Sequence, residues 1–210
     1  MSSFLFLYSS IPLAGLGWFF INNLNKWDKE ITFYFKKKDL MVFASFLLFN
    51  NYLILYRIDG ELSFLHVYTT FFVGYLYLSA WIDHYTMRVY RISNVFFCFS
   101  GLLLFLLYNP SFDEWLGIIL YVIFVSVLTA KNMFGKGDSG IFISVALYLG
   151  CLNYSNFTIT ILLIHNVLSS IVFLIMNYKK LQVRAMKIKQ ETAFLPSIAI
   201  AAWIMMIFYI

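Results

Sequence analysis

The stretch that decides the fold is residues 141–177, which read IFISVALYLGCLNYSNFTITILLIHNVLSSIVFLIMN and contain no formally charged residue. A helix needs about 20 apolar residues to cross the hydrocarbon core of a bilayer, so this run is too long for one span. The cluster Asn153-Tyr154-Ser155-Asn156 is typical of a turn and divides the run. The stretch therefore predicts two consecutive membrane helices.

The composition of the whole chain agrees with this interpretation. Of its 210 residues, 62% are hydrophobic and 12% are charged, whereas soluble domains carry about 25% charged residues. This apolar content excludes a disordered chain, and two cysteines in separate apolar stretches do not form a disulfide scaffold. The basic residues are scattered, so the net charge of +5 predicts no nucleic-acid partner. We expect an all-α integral membrane protein, with residues 1–210 forming a single polytopic domain in the lipid bilayer.

Eight spans are predicted, and the basic residues orient them. The spans run roughly 4–21, 40–56, 62–82, 94–108, 115–130, 139–153, 157–177 and 194–210. Connections 22–39, 83–93, 131–138 and 178–193 hold 14 of the 15 basic residues. Because positive charge concentrates in cytoplasmic loops, these connections are predicted to be cytosolic and both termini extracytosolic. No basic region precedes the first apolar run, so we interpret it as a span and not as a signal peptide.

Two acidic residues differ from the rest in their position. Asp83 ends the third apolar run and Asp138 opens the sixth, while the other acids lie in connections. A carboxylate near a membrane span is a candidate functional group. The predicted orientation gives both aspartates the same depth at the cytosolic face, so we expect them to meet. Two carboxyls in contact cannot both ionise, and such a pair suits the attack of water on a peptide carbonyl.

Three glycines surround Asp138. Gly135, Gly137 and Gly140 permit close backbone approach or unusual dihedral angles, which a bound extended peptide requires. The alternative interpretation is a helix N-terminus with Asp138 as its cap and the glycines in an ordinary loop. The residues themselves leave both interpretations open.

These motifs resemble the type IV prepilin peptidases, membrane aspartic proteases of the Gly-x-Gly-Asp class. The second motif is Gly135-Lys136-Gly137-Asp138 before an apolar helix, and the first is Ile82-Asp83. Near the end of the chain, Phe194-Leu195-Pro196-Ser197 is similar to the family's proline-containing start of the last span. The resemblance is best over residues 75–210, with a peptidase-like core of about 62–210. It implies that Asp83 and Asp138 are the catalytic pair.

The chain departs from the family at two places. An Ile-Pro-Asn-like triplet is expected after the first aspartate, and the candidates are Val89-Tyr90-Arg91 and Ile92-Ser93-Asn94, neither with proline. Connection 22–39 contains no cysteine, whereas many family members carry a Cys-x-x-Cys domain there that is associated with N-methylation. The chain therefore resembles the short members, and we expect a peptidase without methyltransferase activity.

The resemblance implies an endopeptidase of the bacterial inner membrane that removes the basic leader from type IV prepilin or pseudopilin-like precursors at the cytosolic face. No cofactor and no metal are expected, because the three histidines show no ligand spacing. Nothing in the sequence sets an oligomeric state. The alternative functions are a proton- or cation-coupled transporter that uses the two aspartates as an ion site, and a non-catalytic assembly protein in which they are caps.

Overall fold

Helices dominate the part of the chain that the structure describes. The structure is a computed structural model that describes residues 3–27, 36–57, 63–131, 133–151, 159–184 and 193–209. Over these residues it contains helices and short connections but no strand, so the all-α prediction is confirmed. The helices are α1 (Ser3–Tyr8), α2 (Ser10–Trp27), α3 (Lys37–Arg57), α4 (Phe64–Thr86), α5 (Arg91–Leu107), α6 (Phe112–Ala130), α7 (Lys136–Cys151), α8 (Ile159–Arg184) and α9 (Leu195–Tyr209).

Several helices are suited to a bilayer. Four segments of the described chain are long and apolar enough to cross one, namely Leu5–Leu24, Lys37–Arg57, Phe112–Ala130 and Ile159–Tyr178. Large apolar side chains also face outward, including Val95, Phe96, Ile123 and Ile175, each more than half exposed. Apolar surface of this kind is unusual in a soluble monomer and is what lipid requires. The chain is therefore a membrane protein, while the count of eight spans and the sides of the termini stay predictions.

The chain forms two compact units, and the first consists of Met1–Tyr90 with Ile207–Ile210. In it α2 packs against α3 and α4. A buried apolar cluster holds these helices together and comprises Ala14, Ile21, Phe43, Leu47, Ile82 and Tyr90. Burial of each large side chain contributes roughly 1.5–3 kcal/mol. The cluster includes the residue that immediately precedes Asp83, so it fixes the backbone at the start of that motif.

The first predicted span is interrupted at Ser9, between α1 and α2. The Asn51 side chain of α3 stabilises this break by donating a hydrogen bond to the Phe6 carbonyl oxygen at 2.9 Å. Its amide oxygen accepts a hydrogen bond from Thr70 Oγ1 at 2.7 Å. The Phe6 carbonyl oxygen also accepts from the Ser9 N–H at 3.2 Å and from Ser9 Oγ at 2.6 Å, so Asn51 adds a contact between α3 and this segment.

The second unit consists of Arg91–Met206, with α7 at its centre. The side chains of α7 from Ile141 to Cys151 are almost all buried, all around the helix. Helices α5 and α7 approach closely at Gly150, where a Cβ atom would lie only 2.7 Å from the Phe105 ring. The run 141–177 is occupied by two helices, α7 and α8, as the sequence predicts. The predicted turn at Asn153-Tyr154-Ser155-Asn156 lies outside the described residues.

The helices extend beyond the predicted spans next to both aspartates. Helix α4 continues to Thr86, whereas the prediction ended the third span at residue 82. Helix α7 begins at Lys136, three residues before the predicted start of the sixth span. Asp83 and Asp138 therefore lie in helical turns and not in the predicted connections 83–93 and 131–138. A helix can continue through polar residues until its backbone is capped, and hydropathy does not reveal the residue at which the cap lies.

Candidate active site

Asp138 occupies the first turn of α7. Its Oδ2 accepts a hydrogen bond from the backbone N–H of Gly135, the residue before the helix, at 3.2 Å. In return, the Gly135 carbonyl accepts the first helical bond, from the Ser139 N–H at 3.1 Å. A carboxylate at the third helical position that satisfies the N–H of the capping residue is one half of a capping box. Asp138 therefore contacts the helix start from the third helical position, whereas the alternative interpretation made Asp138 the cap itself.

The environment of Asp138 adjusts its proton affinity. The side chain is half-buried, and within the described part of the second unit its carboxylate accepts no other hydrogen bond and contacts no cation. Burial raises the pKa of Asp138 to about 6, while the Gly135 hydrogen bond opposes this rise in part. The positive end of the α7 dipole also favours the carboxylate. A carboxyl that ionises just below neutral pH is suited to act as a general base.

The glycines provide space and not unusual backbone conformations. No described glycine has a positive φ, so the expectation of unusual dihedral angles is not met among them. A Cβ atom on Gly135 would lie 3.0 Å from Oδ2 of Asp138. A Cβ atom on Gly140 would lie 2.9 Å from Nδ2 of Asn94 and 3.3 Å from its Cβ. The open sides of these two glycines are therefore occupied by other side chains of the protein.

Asn94 contacts the Gly-x-Gly-Asp turn from α5. Its Nδ2 donates a hydrogen bond to the Gly137 carbonyl oxygen at 3.0 Å, and the side chain is buried. Asn94 ends the second of the two candidate triplets, Ile92-Ser93-Asn94. Asn94 is not among the predicted site residues, and 43 positions separate it from Gly137. The helical register of α5 places it there, which a single sequence does not show.

Four phenylalanines lie on the other side of the same turn. The Phe134 ring is 5.0 Å from the Phe142 ring and 5.8 Å from the Phe194 ring, nearly parallel to the latter. Phe194 also lies 5.0 Å from Phe173 of α8. This phenylalanine cluster connects the residue before Gly135 to the start of α9. The turn that carries Asp138 is thus held at both ends, by the cluster before Gly135 and by Asn94 at Gly137.

His165 lies fully buried beside this cluster. Its Nε2 is 3.3 Å from the Ile198 carbonyl oxygen, and its ring meets the Phe142 ring edge-on. These contacts are those of a residue that packs and hydrogen-bonds between helices. Within the described ranges no three His, Cys, Asp or Glu side chains are grouped as a metal site.

Asp83 lies in the last turn of α4, in the first unit. The side chain is 6% exposed. Met87 ends the helix in the left-handed conformation, with φ 56°, and its N–H donates to the Asp83 carbonyl oxygen at 2.8 Å. A negative charge near a helix C-terminus opposes the helix dipole, and burial also disfavours it. Asp83 is thus a buried carboxyl at the C-terminal end of a helix.

Proline at the start of α9 is the third feature of the resemblance. Pro196 lies in the first turn of α9, where a missing N–H costs no helical bond. The predicted helix start is thus found, one residue after the predicted 194.

Because Asp83 and Asp138 belong to different units, their contact stays a prediction. Comparison of the chain with protein-family models, with curated proteins and with solved structures finds no match.

Proposed function

We propose that this protein is a membrane-embedded aspartic endopeptidase that removes the basic leader from type IV prepilin or pseudopilin-like precursors. The observation that carries the proposal is the state of Asp138. Its carboxyl is held at a helix start, has no cationic partner among the described residues of its unit and has a pKa of about 6. An aspartate in ordinary aqueous surroundings ionises about 2 pH units lower.

Asp83 supplies the complementary group in this proposal. It is buried in the last turn of α4, whereas Asp138 lies in the first turn of α7. An aspartic protease needs one carboxylate and one carboxylic acid. In this proposal Asp138 is the carboxylate and Asp83 is the carboxylic acid. When the pair is assembled, the two groups titrate as a unit.

The chemistry follows from this division of roles. Asp138 takes a proton from water while the water oxygen attacks the carbonyl carbon of the scissile peptide, and Asp83 donates its proton to the carbonyl oxygen. The tetrahedral diol then collapses. Asp138 returns its proton to the leaving nitrogen as the C–N bond breaks, and one diol hydroxyl returns a proton to Asp83. Both carboxyls regain their starting states, so no cofactor is consumed.

The proposed orientation places this chemistry at the cytosolic face of the bacterial inner membrane. Eight spans with both termini extracytosolic bring the ends of α4 and the start of α7 to the same depth. The apolar stem of a prepilin-like substrate lies in the bilayer, so its leader junction reaches this depth as well. No methyltransferase activity is proposed, because connection 22–39 contains no cysteine.

Cleavage of a synthetic precursor tests the proposal. The purified protein is reconstituted in liposomes with a peptide that carries a short basic leader, a glycine and about 20 apolar residues. We expect mass spectrometry to show one cut after the glycine and an unmethylated product. Asp138→Glu should abolish the cut, because a longer side chain misplaces the base by more than 1 Å. An intact precursor, together with a proton flux that Asp138→Asn removes, would favour the transporter.

A further inference from the structure

The first turn of α7 has an intrinsically adaptable backbone. Gly135 and Gly137 flank Lys136 directly before Asp138, and glycine has the widest range of backbone conformations of any residue. Helical hydrogen bonds begin in this turn, with the Ser139 N–H donating to the Gly135 carbonyl, and contacts from outside the turn restrict its peptide units further. The phenylalanine cluster fixes the chain before Gly135, but it does not reach the peptide unit that joins Gly137 to Asp138.

Asn94 makes that contact. Its Nδ2 donates to the carbonyl oxygen of Gly137 at 3.0 Å, and this oxygen belongs to the same peptide unit as the Asp138 N–H. The Asn94 side chain is buried, and the bond is partly shielded from water. A hydrogen bond between groups shielded from water resists breaking, because the separated groups would lose their partners.

Gly140 provides the space for this amide. A Cβ atom there would meet three atoms of Asn94, namely Nδ2 at 2.9 Å and both Cβ and Cγ at 3.3 Å. The clash includes the rigid base of the side chain, so a simple rotation would not relieve it. Gly140 was predicted to admit a substrate backbone, but its open side is filled by Asn94. Asn94 and Gly140 thus form one matched contact between α5 and α7.

We propose that Asn94 is a positioning residue for the aspartic peptidase site, which fixes the Gly137–Asp138 peptide unit and thereby the direction of the Asp138 carboxylate. The inference rests on the proposed function. Asn94 is given a positioning role because its Nδ2 donates to the Gly137 carbonyl oxygen and its side chain packs against Gly140. Loss of its bond should slow the chemical step without weakening substrate binding.

The test compares turnover of the synthetic liposomal precursor by four variants, with thermal unfolding as a check on folding. Asn94→Leu keeps the size of the side chain but removes the donor, and we expect kcat to fall about tenfold to hundredfold with KM within about twofold. Ser100→Ala is the matched control on α5, since its hydroxyl bonds to the Phe97 carbonyl within its own helix. It should cleave like the wild type.

Gly140→Ala keeps the donor but displaces it, and should reproduce the fall in kcat. This variant decides the question if Asn94→Leu does not fold. The fourth variant, Asp138→Asn, separates the two claims. If it is inactive while folded Asn94→Leu and Gly140→Ala turn over at the wild-type rate, the positioning role is wrong and the proposed function stands. Near-normal cleavage by Asp138→Asn would overturn the proposed function, and the positioning role with it.

Discussion

The backbone N–H of Gly135 donates a hydrogen bond to the carboxylate of Asp138, with 3.2 Å between nitrogen and Oδ2. This bond stabilises the ionised form, whereas burial of the side chain destabilises it, and burial is the larger effect because the pKa of Asp138 rises to about 6. The two effects make the protonation of Asp138 sensitive to small changes in this turn.

Gly135→Ala should raise the pKa of Asp138 further. The added Cβ atom would lie 3.0 Å from Oδ2, so the carboxylate must move away and its bond to the N–H weakens. Infrared titration of the carboxyl band, assigned by its loss in Asp138→Asn, measures this pKa. Ser139→Ala is the control, because its hydroxyl bonds to the Lys136 carbonyl and not to Asp138. A pKa at or below the wild-type value in Gly135→Ala would contradict the expectation.

Asp138→Asn should stabilise the protein at neutral pH. A folded-state pKa raised from 3.8 to about 6 means that the folded state prefers the protonated form, so ionisation at higher pH costs stability. Asparagine has no charge and can still accept the Gly135 bond. At about pH 7.5 the free energy of unfolding should increase by about 1–3 kcal/mol. Unfolding in detergent across pH would show this gain shrinking as the pH falls through 6 toward 4; a gain that persisted in acid would need another cause.

Gly150→Ala should destabilise the second unit. The new Cβ atom would lie 2.7 and 2.9 Å from two atoms of the Phe105 ring, which is itself fully buried. Overpacking of this kind typically costs 1–3 kcal/mol. Gly15→Ala is the matched control, because nothing lies within 4 Å of the added atom, and alanine in a helix interior should stabilise by up to about 1 kcal/mol. Equal unfolding temperatures for Gly150→Ala and Gly15→Ala would contradict the close contact between Gly150 and the Phe105 ring.

Lys37 should be accessible from the cytosol and not from outside the cell. The connection 22–39 that contains it is one of the four that hold 14 of the 15 basic residues, and Lys37 itself is exposed. In a background with Cys98→Ser and Cys151→Ser, a thiol introduced by Lys37→Cys should react with a membrane-impermeant reagent only after lysis. Labelling in intact cells would reverse the proposed orientation.

The sequence predicts the helices better than their ends. Apolar runs place α3 and α6 within a few residues, because burial in lipid requires such runs. The end of α4 is set by the left-handed conformation of Met87, and the start of α7 by the Gly135 cap. These are local backbone features that hydropathy does not contain, so both predicted connections next to the aspartates were too long.

The residues of the candidate site are also predicted only in part from the sequence. Unusual positions of acidic residues relative to apolar runs were enough to select Asp83 and Asp138. The contact of Asn94 with Gly137 depends on how α5 packs against α7, as does the filling of the space at Gly140. The hydrogen bond from Asn51 to the Phe6 carbonyl likewise joins residues 45 positions apart. Contacts between distant segments follow from packing, and a single sequence contains no direct signal for them.

The most direct test of the central claim is the cleavage rate of the synthetic precursor in liposomes by Asp83→Asn and by Asp138→Asn, each beside Asp113→Asn. Asp113 is an exposed acid in the first turn of α6 and serves as the control. If Asp83 and Asp138 form the catalytic pair, each of the first two variants should be folded and lose cleavage by at least about a thousandfold, while Asp113→Asn cleaves normally. Near-normal cleavage by either Asp83→Asn or Asp138→Asn would contradict the account.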